Sequence, residues 1–545
     1  MKRHLALPLL LLFAAAPAQA ANRVVPTQYP TIQAAVDAAV AGDVVVIQPG
    51  VYSDVTHTPG GGDTTKCVVV MKSGVRLRGS GMGRTIIDAN HLGRGIQCTN
   101  VTNVTIHDLT VREAFAAIHG AGILCKDGSS PTIQNVEFTS NFDGALICLD
   151  GSSPLVQGSR FISNAGKEGG AIAMDLNCAP VIENCHISGN TAPVAAAIIV
   201  RNGSAPQFTN CTVINNFISG PGGGGGALSV NTAAATITNS RFEGNTATGP
   251  GGALLFSEGV AHVTGCLIQG NSTTGAYGPG GGVHADFGSD VTMTDCTIVR
   301  NSVAGTDAFS DGGGVSAFFA TQMTLRRCTI SANSSASEGG GVAAFFSSPT
   351  IEKCIISHST AGRGMACDES SVPVVSCTNI FGNALGNTIC GTNGGNNFSL
   401  DPLFCNLAGN DFRLQAASPC APGQHPNGAA ACDGSRIGAK DVGCAPVDVP
   451  DAVPAARLVG NRPNPFRPET TIRYDLARDS KVELAVFDIA GRRVRTLVGA
   501  RQAAGGHEAL WDGCDEAGQR APSGVYFYRL DVDGVKDARR MVLAR

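Results

Sequence analysis

A single tryptophan, Trp511, stands in 545 residues, so any sugar-binding surface before it has no indole platforms to stack on. Charged residues make up only 15% and the net charge is -4, so nothing in the composition asks for nucleic acid or an anionic membrane. No two aspartates are adjacent anywhere in the chain, so the tightest pairing of carboxylates for acid and base work is missing. Beyond residue 20 no apolar run reaches the length of a membrane span.

What is abundant is glycine, at 70 residues, and one line of text written ten times between Ser129 and Gly382. The copies align on Val136, Ser159, Cys185, Cys211, Ser240, Cys266, Cys296, Cys328, Cys354 and Cys377, at gaps of 23, 26, 26, 29, 26, 30, 32, 26 and 23 residues. A period of this length marks a stacked repeat. Each copy holds two short runs of alternating apolar and polar residues, such as Thr350 to Ile356 and Gly341 to Phe346, which read as half-buried strands. Five residues after the aligned position an asparagine returns in eight copies: Asn141, Asn164, Asn190, Asn216, Asn245, Asn271, Asn301 and Asn333. Asparagine tolerates the left-handed backbone region and its amide can bond a neighbouring turn, so the column reads as an internal ladder at a repeated bend. Gly-Gly pairs such as Gly251-Gly252 and Gly313-Gly314 mark a second bend.

These features resemble the right-handed parallel β-helix repeat of the pectin-lyase-like superfamily. The expected fold is all-β: a single right-handed parallel β-helix of about a dozen coils over residues 44–400, followed by a small immunoglobulin-like β-sandwich. Thr31 is placed to cap a short Ala-rich helix that closes the first coil, where edge strands would otherwise stand open. A Cys-rich segment from Asp401 to Cys444 is expected to close the far end. Residues 1–20 carry the basic start (Lys2, Arg3), apolar run and small-residue end (Ala18-Gln19-Ala20) of a cleavable secretory signal. The expected division is therefore signal peptide 1–20, β-helix with caps 21–445, a Pro- and Ala-rich linker 446–457, and a sandwich 458–545. The mature protein is expected to be a monomer, secreted or attached to the cell surface.

Nineteen cysteines in an exported chain invite disulfides, but most occupy the repeated inward position. Cys266, Cys296, Cys328, Cys354 and Cys377 are expected to stack as packed thiols on consecutive coils. Cys125 with Cys148, and Cys367 with Cys390, sit at matching places in adjacent copies and are the expected bridges, together with pairings among Cys405, Cys420, Cys432 and Cys444.

The last 88 residues carry Asn464-Pro465-Phe466, Trp511-Asp512-Gly513, Ser523-Gly524-Val525-Tyr526 and Arg539-Arg540-Met541-Val542. They resemble the C-terminal sorting domain of type IX secretion cargo, whose fold is similar to the immunoglobulin-like domain of flagellar hook-capping proteins. The resemblance implies export across the outer membrane, with this domain engaging the secretion machinery.

For the array itself, enzyme motifs are missing: the paired aspartates of polygalacturonase-like hydrolases, the carboxylate and Trp motifs of pectin methylesterases, and the Trp-Asp-His calcium strand of pectate lyases. Two signals remain. The loops before the Gly bend are longest at Phe217 to Gly226, Thr273 to Gly282 and Val303 to Gly314, so Tyr277, Asp307 and Asp311 are expected to project together from one edge. Counting along the next strand, Val283, Ala285, Phe287, Phe319 and Phe346 fall on the expected core parity, and His284, Asp286, Phe318 and Phe345 on the other. An exposed Phe318–Phe345 pair beside a carboxylate would suit a sugar, or calcium, the one ion left open. The expected function is non-catalytic binding of a surface glycan or polysaccharide. The opposed readings are a polysaccharide lyase or glycoside hydrolase acting on an acidic polysaccharide, and a structural stalk.

Overall fold

The computed structural model describes residues 20–59, 63–116, 120–307, 309–444, 456–464, 466–476, 479–488, 491–503, 505–532 and 535–544. The expected leader up to residue 19, the linker before residue 456 and Pro465 lie outside the described residues. Two compact units divide the chain, Met1–Gly443 and Cys444–Arg545.

The first unit is a right-handed parallel β-helix of about 14 coils. Parallel pairing runs residue on residue from coil to coil, so one position repeats as a column through the core. Ile182, Phe208, Ile237, Val263, Met293, Leu325, Ile351 and Val375 form such a column, each paired with the next and each buried. Register is fixed because a slip by one residue would turn this whole column outward. The Gly-Gly bends bring consecutive backbones together: a Cβ on Gly252 would run into the Gly281 carbonyl. Thr31 Oγ1 accepts from the Ala34 N–H at 3.1 Å and caps the helix Ile32–Ala38, whose Ile32, Ala35 and Val36 cover the first coil.

At the bend the asparagines form one continuous internal ladder. Asn216 donates from its N–H and its Nδ2 to Asn245 Oδ1 (3.0 and 2.9 Å), and Asn245 Nδ2 donates to Asn271 Oδ1 and to Val213 O, both at 2.9 Å. The same pattern runs from Asn141 to Asn333; Ser359 then stands in the column, and Asn383 resumes it by accepting from the Ser359 N–H. Asn245→Ala would leave the fully buried Asn216 N–H without its acceptor and take one partner each from Asn216 Nδ2, which keeps Ile187 O at 3.3 Å, and from the Val213 carbonyl. At about 1 to 3 kcal/mol for the orphaned N–H and less for each weakened group, the expected loss is about 2 to 4 kcal/mol. Chemical denaturation measures it, and an unchanged midpoint would remove the ladder from what holds the coils together.

The thiol column contains Cys266, Cys296, Cys328 and Cys354, all buried and free. Burial pushes the Cys328 thiol well above its ordinary range, so it packs rather than reacts. Cys377 leaves the column. The register pairs Glu352 with Ser376 and Ile355 with Asn379, which sets Thr378 after Cys354 and turns Cys377 outward into a disulfide with Cys432. Cys367 and Cys390 are bridged, with Cα atoms 6.1 Å apart. Cys125 and Cys148 are not: with Cys98 they occupy paired strand positions, where the Cβ directions run parallel instead of converging. Cys405 and Cys444 are disulfide-bonded, whereas Cys420 stays a buried thiol beside Asn379.

The Cys-rich segment does more than close an end. Its hairpin of Phe404–Asn406 and Asp411–Leu414 packs Phe404, Phe412 and Leu414 with Ile437 against Val299 and Ile355, on the outer flank of earlier coils. Lys353 Nζ donates to Asp433 at 2.6 Å, and Arg436 pairs with Asp295 at 2.8 Å.

The second unit has a three-stranded antiparallel sheet (Ala456–Arg462, Thr470–Leu476, Gly505–Trp511) and a four-stranded one (Arg493–Gln502, Ser480–Phe487, Gly524–Val532, Val535–Leu543). Trp511, Phe466, Tyr474 and Tyr528 fill the core between them.

Candidate functional site

Nine consecutive coils turn at the end of a strand through a residue with positive φ. Hydrogen bonds between successive coils align Asp127, Asp150, Leu176, Asn202, Thr232, Glu258, Phe287, Phe319 and Phe346 at this turn, with φ between 42° and 61°. Five of the first six are Asp, Asn, Thr or Glu, short or polar side chains suited to solvent. The last three are phenylalanine, for which the left-handed region is costly. All three are exposed, by 54%, 42% and 47%, and their rings stack along the solenoid at 5.5 and 5.6 Å between centroids, within 15° of parallel. Here local strain and exposed apolar surface coincide on three consecutive coils.

Counting alternation through the turn misplaces these rings. Phe287, Phe319 and Phe346 were expected on the core parity, but positive φ ends the alternation and swings them out. Phe318 and Phe345, expected to be exposed, face outward from the strand yet lie under a loop: Phe318 is 2% exposed. The covering group is Phe309, itself exposed, whose ring meets Phe318 at 5.5 Å and Phe345 at 5.9 Å, edge on. The six phenylalanines form one aromatic layer, three rings at the surface column, one on the loop and two beneath.

His284 and Asp286 share that covered face. His284 is fully buried and Asp286 is 8% exposed. Nε2 of His284 lies 3.4 Å from Asp286 Oδ2, near enough for attraction but not aligned as a hydrogen bond. Both His284 ring nitrogens, Asp286 Oδ1 and the Oγ of Ser316, which pairs with His284 in register, are buried without a hydrogen-bond partner among the described residues. Such a concentration of unpartnered polar atoms is rare in a buried site. Above it Tyr277 is 41% exposed, and burial together with the Asp286 carboxylate pushes its phenol up.

The three loop residues do not project together. Asp307 is exposed, but Asp311 is buried at 2%, accepting from the Glu338 and Gly339 N–H groups (2.6 and 2.9 Å) and from Ser335. Burial pushes its carboxyl up, and its bonds tie one loop to the next coil. Among the described residues no three His, Cys, Asp or Glu side chains converge as metal ligands.

Beside Phe346 runs an open groove of about 600 Å³, lined by Gln322, Thr324, Ser347, Thr350 and Ser370, with Asp290 the only charged residue on its wall. The aromatic column and this hydroxyl-rich groove share one corner of the solenoid. The sequence signal that would have found the column is the substitution pattern at the turn: Asp-Gly-Ser at Asp127 and Asp150 becomes Phe-Gly-Ser at Phe287, then Phe-Ala-Thr and Phe-Ser-Ser.

In the second unit the motif residues serve the fold. Phe466 and Tyr526 pack on Trp511 at 5.4 and 5.1 Å, and the indole donates to Cys514 O at 2.8 Å. Asn464 Oδ1 accepts from the Val542 N–H at 2.9 Å, Asp512 from Arg495 at 2.8 Å, and Gly524 opens the strand that carries Tyr526.

Residues 94–252 and 225–402 match the family model described as right handed beta helix region, and residues 467–535 match that of the FlgD Ig-like domain. No curated protein matches the chain. Among solved structures, the chain is similar to the mannuronan C-5 epimerase AlgE4 A-module of Azotobacter vinelandii (18% identity, 68% of this chain, 94% of that one, TM-score 0.36). It is also similar to the catalytic unit of the GH87 α-1,3-glucanase of Streptomyces thermodiastaticus strain HF3-3 (15%, 71%, 71%, 0.34) and to the pectate lyase Pel9A (13%, 75%, 90%, 0.34).

Proposed function

The chain belongs to the right-handed β-helix family, a scaffold that fixes architecture and not reaction, and from that premise we propose that it is a glycan-binding protein of the cell surface that holds its ligand without turning it over. The observation that carries this reading is the stacked, exposed column of Phe287, Phe319 and Phe346. Three strained, solvent-facing rings in a row, whose one inward contact is with the covering layer of Phe318 and Phe309, leave about half of each ring in water, which is the pattern expected where a surface is kept for a partner. The apolar faces of pyranose rings fit such a column, while the hydroxyls and amide of the groove suit the sugar's own hydroxyls. Delivery belongs to the same proposal: the leader at residues 1–20 starts export, and residues 458–545 engage a type IX-like machinery that places the β-helix on the outer surface.

A second reading has one observation in its favour. His284, Asp286 and Tyr277 come together with unpartnered polar atoms, a grouping that could serve acid and base steps on a polysaccharide. Its burial argues for binding first. The two readings separate when the full mature protein is screened on a glycan array and each retained glycan is then assayed for new reducing ends and unsaturated products. Retention without product is expected. Product formation that is lost in His284→Leu would replace the binding reading with the enzymatic one.

A further inference from the structure

The chemistry around the column narrows its ligand, on the premise that the column binds a glycan at all. Along the turn, the three rings are bracketed by carboxylates: Glu258 stands one coil before Phe287, and Asp368 one coil after Phe346, its Oδ1 and Oδ2 each 3.3 Å from the Phe346 N–H that donates to them. Burial alone would raise the Asp368 carboxyl, but hydrogen bonds from Ser371, Ser370 and the Phe346 N–H take it below the usual carboxylate range, so it is charged at neutral pH. On the groove side the only charge is Asp290, and on the covered side lies Asp286. No lysine or arginine lines the groove, and neither Glu258 nor Asp290 has a cationic partner among the described residues. An extended ligand following the column therefore runs between fixed negative charges with no cation to receive a negative group of its own.

We propose that the Phe287–Phe319–Phe346 column and its groove select a neutral glycan and reject uronate or sulfate polymers. A neutral pyranose offers what the walls can use: hydroxyl donors for the Asp290 carboxylate and the Gln322 side-chain oxygen, and C–H faces for the rings. An acidic polymer brings the same faces, but each carboxylate or sulfate would lie in the field of Glu258, Asp290 and Asp368 after losing part of its hydration. The discrimination is therefore electrostatic and should weaken with salt.

The test uses the full mature protein on immobilised β-glucan, mannan and xylan against polygalacturonate, alginate and chondroitin sulfate, at low and physiological ionic strength. Retention on at least one neutral polymer, roughly tenfold or more above every acidic one, is expected, and Asp290→Asn should weaken it by roughly tenfold, the loss of one charge-assisted hydrogen bond, with the melting midpoint unchanged. Retention on an acidic polymer that equals the neutral ones and falls in Phe319→Asn would overturn the selectivity and leave the column as a glycan site. Retention on no polymer, or retention indifferent to Phe319→Asn, would overturn the binding reading and this inference with it.

Discussion

Replacing Phe287, Phe319 and Phe346 together by asparagine is expected to abolish glycan retention while leaving the solenoid about as stable as before. Most substitutions of large apolar residues destabilise, so a change near zero is informative. The reason lies in the backbone. All three residues sit at φ near 48°, 42° and 52°, at a turn where the same column elsewhere uses Asp127, Asp150 and Asn202. Asparagine is among the few side chains that adopt this region readily, so each replacement removes strain on the order of 1 kcal/mol or more. Against this stand the ring contacts, worth about 0.5 to 1.5 kcal/mol for each stacked pair, and the partial burial of rings that are about half exposed. With the edge contact of Phe319 on the buried Phe318 ring at 4.3 Å counted as well, the two sides nearly cancel, for a net change within about 2 kcal/mol of zero. Binding has no such compensation, because the apolar faces are gone. Thermal unfolding and affinity retention, measured on the same preparation, decide the matter. A variant that loses several degrees in midpoint and still binds would show that the column is a structural spine.

The coiled architecture was legible because a parallel β-helix writes its geometry into the sequence once per coil. The asparagine column survives every change of loop length, from Asn141 to Asn333, since each amide must meet the next and no other residue makes both bonds. Residue identity misled where register and identity part company. Cys377 looks like the successor of Cys354, yet Thr378 holds that place because the disulfide to Cys432 needs an outward thiol. The candidate site was half legible for a similar reason. Parity along Val283–Asp286 gives the right faces, with Val283 and Ala285 inward and His284 and Asp286 outward. It fails at Phe287, where positive φ stops the alternation, and it says nothing of Phe309, which arrives from a loop without a period and covers Phe318. Nor could spacing reveal that the Cys-rich segment folds back on Val299 and Ile355, since that contact joins residues about fifty or more positions apart without any repeat.

Removing residues 458–545 is expected to leave the β-helix folded and able to bind, and to stop it from reaching the cell surface. The first half follows from the packing. Among the described residues the main core runs from Val25 to Ile380, and the second unit has a core of its own, with Leu458, Phe466, Trp511, Tyr526 and Met541. The cut also spares Cys444 and the disulfides at Cys367–Cys390 and Cys377–Cys432. The second half rests on the motif residues, whose place in the domain is structural: Phe466, Trp511 and Tyr526 make one ring cluster, and Asn464 clasps the final strand through Val542. A recognition module built this way presents its surface whatever passenger precedes it. In a host with the type IX pathway, the full chain should be accessible to added protease on intact cells, and the truncated chain should fractionate with the periplasm, protected until the outer membrane is opened. Phe466→Asp is the finer version: it buries a charge in the ring cluster, should unfold the second unit alone, and is expected to reproduce the retention while glycan binding by the purified protein stays intact. Undiminished surface display of the truncated chain would overturn the sorting assignment and leave the sandwich as an accessory module of the mature protein.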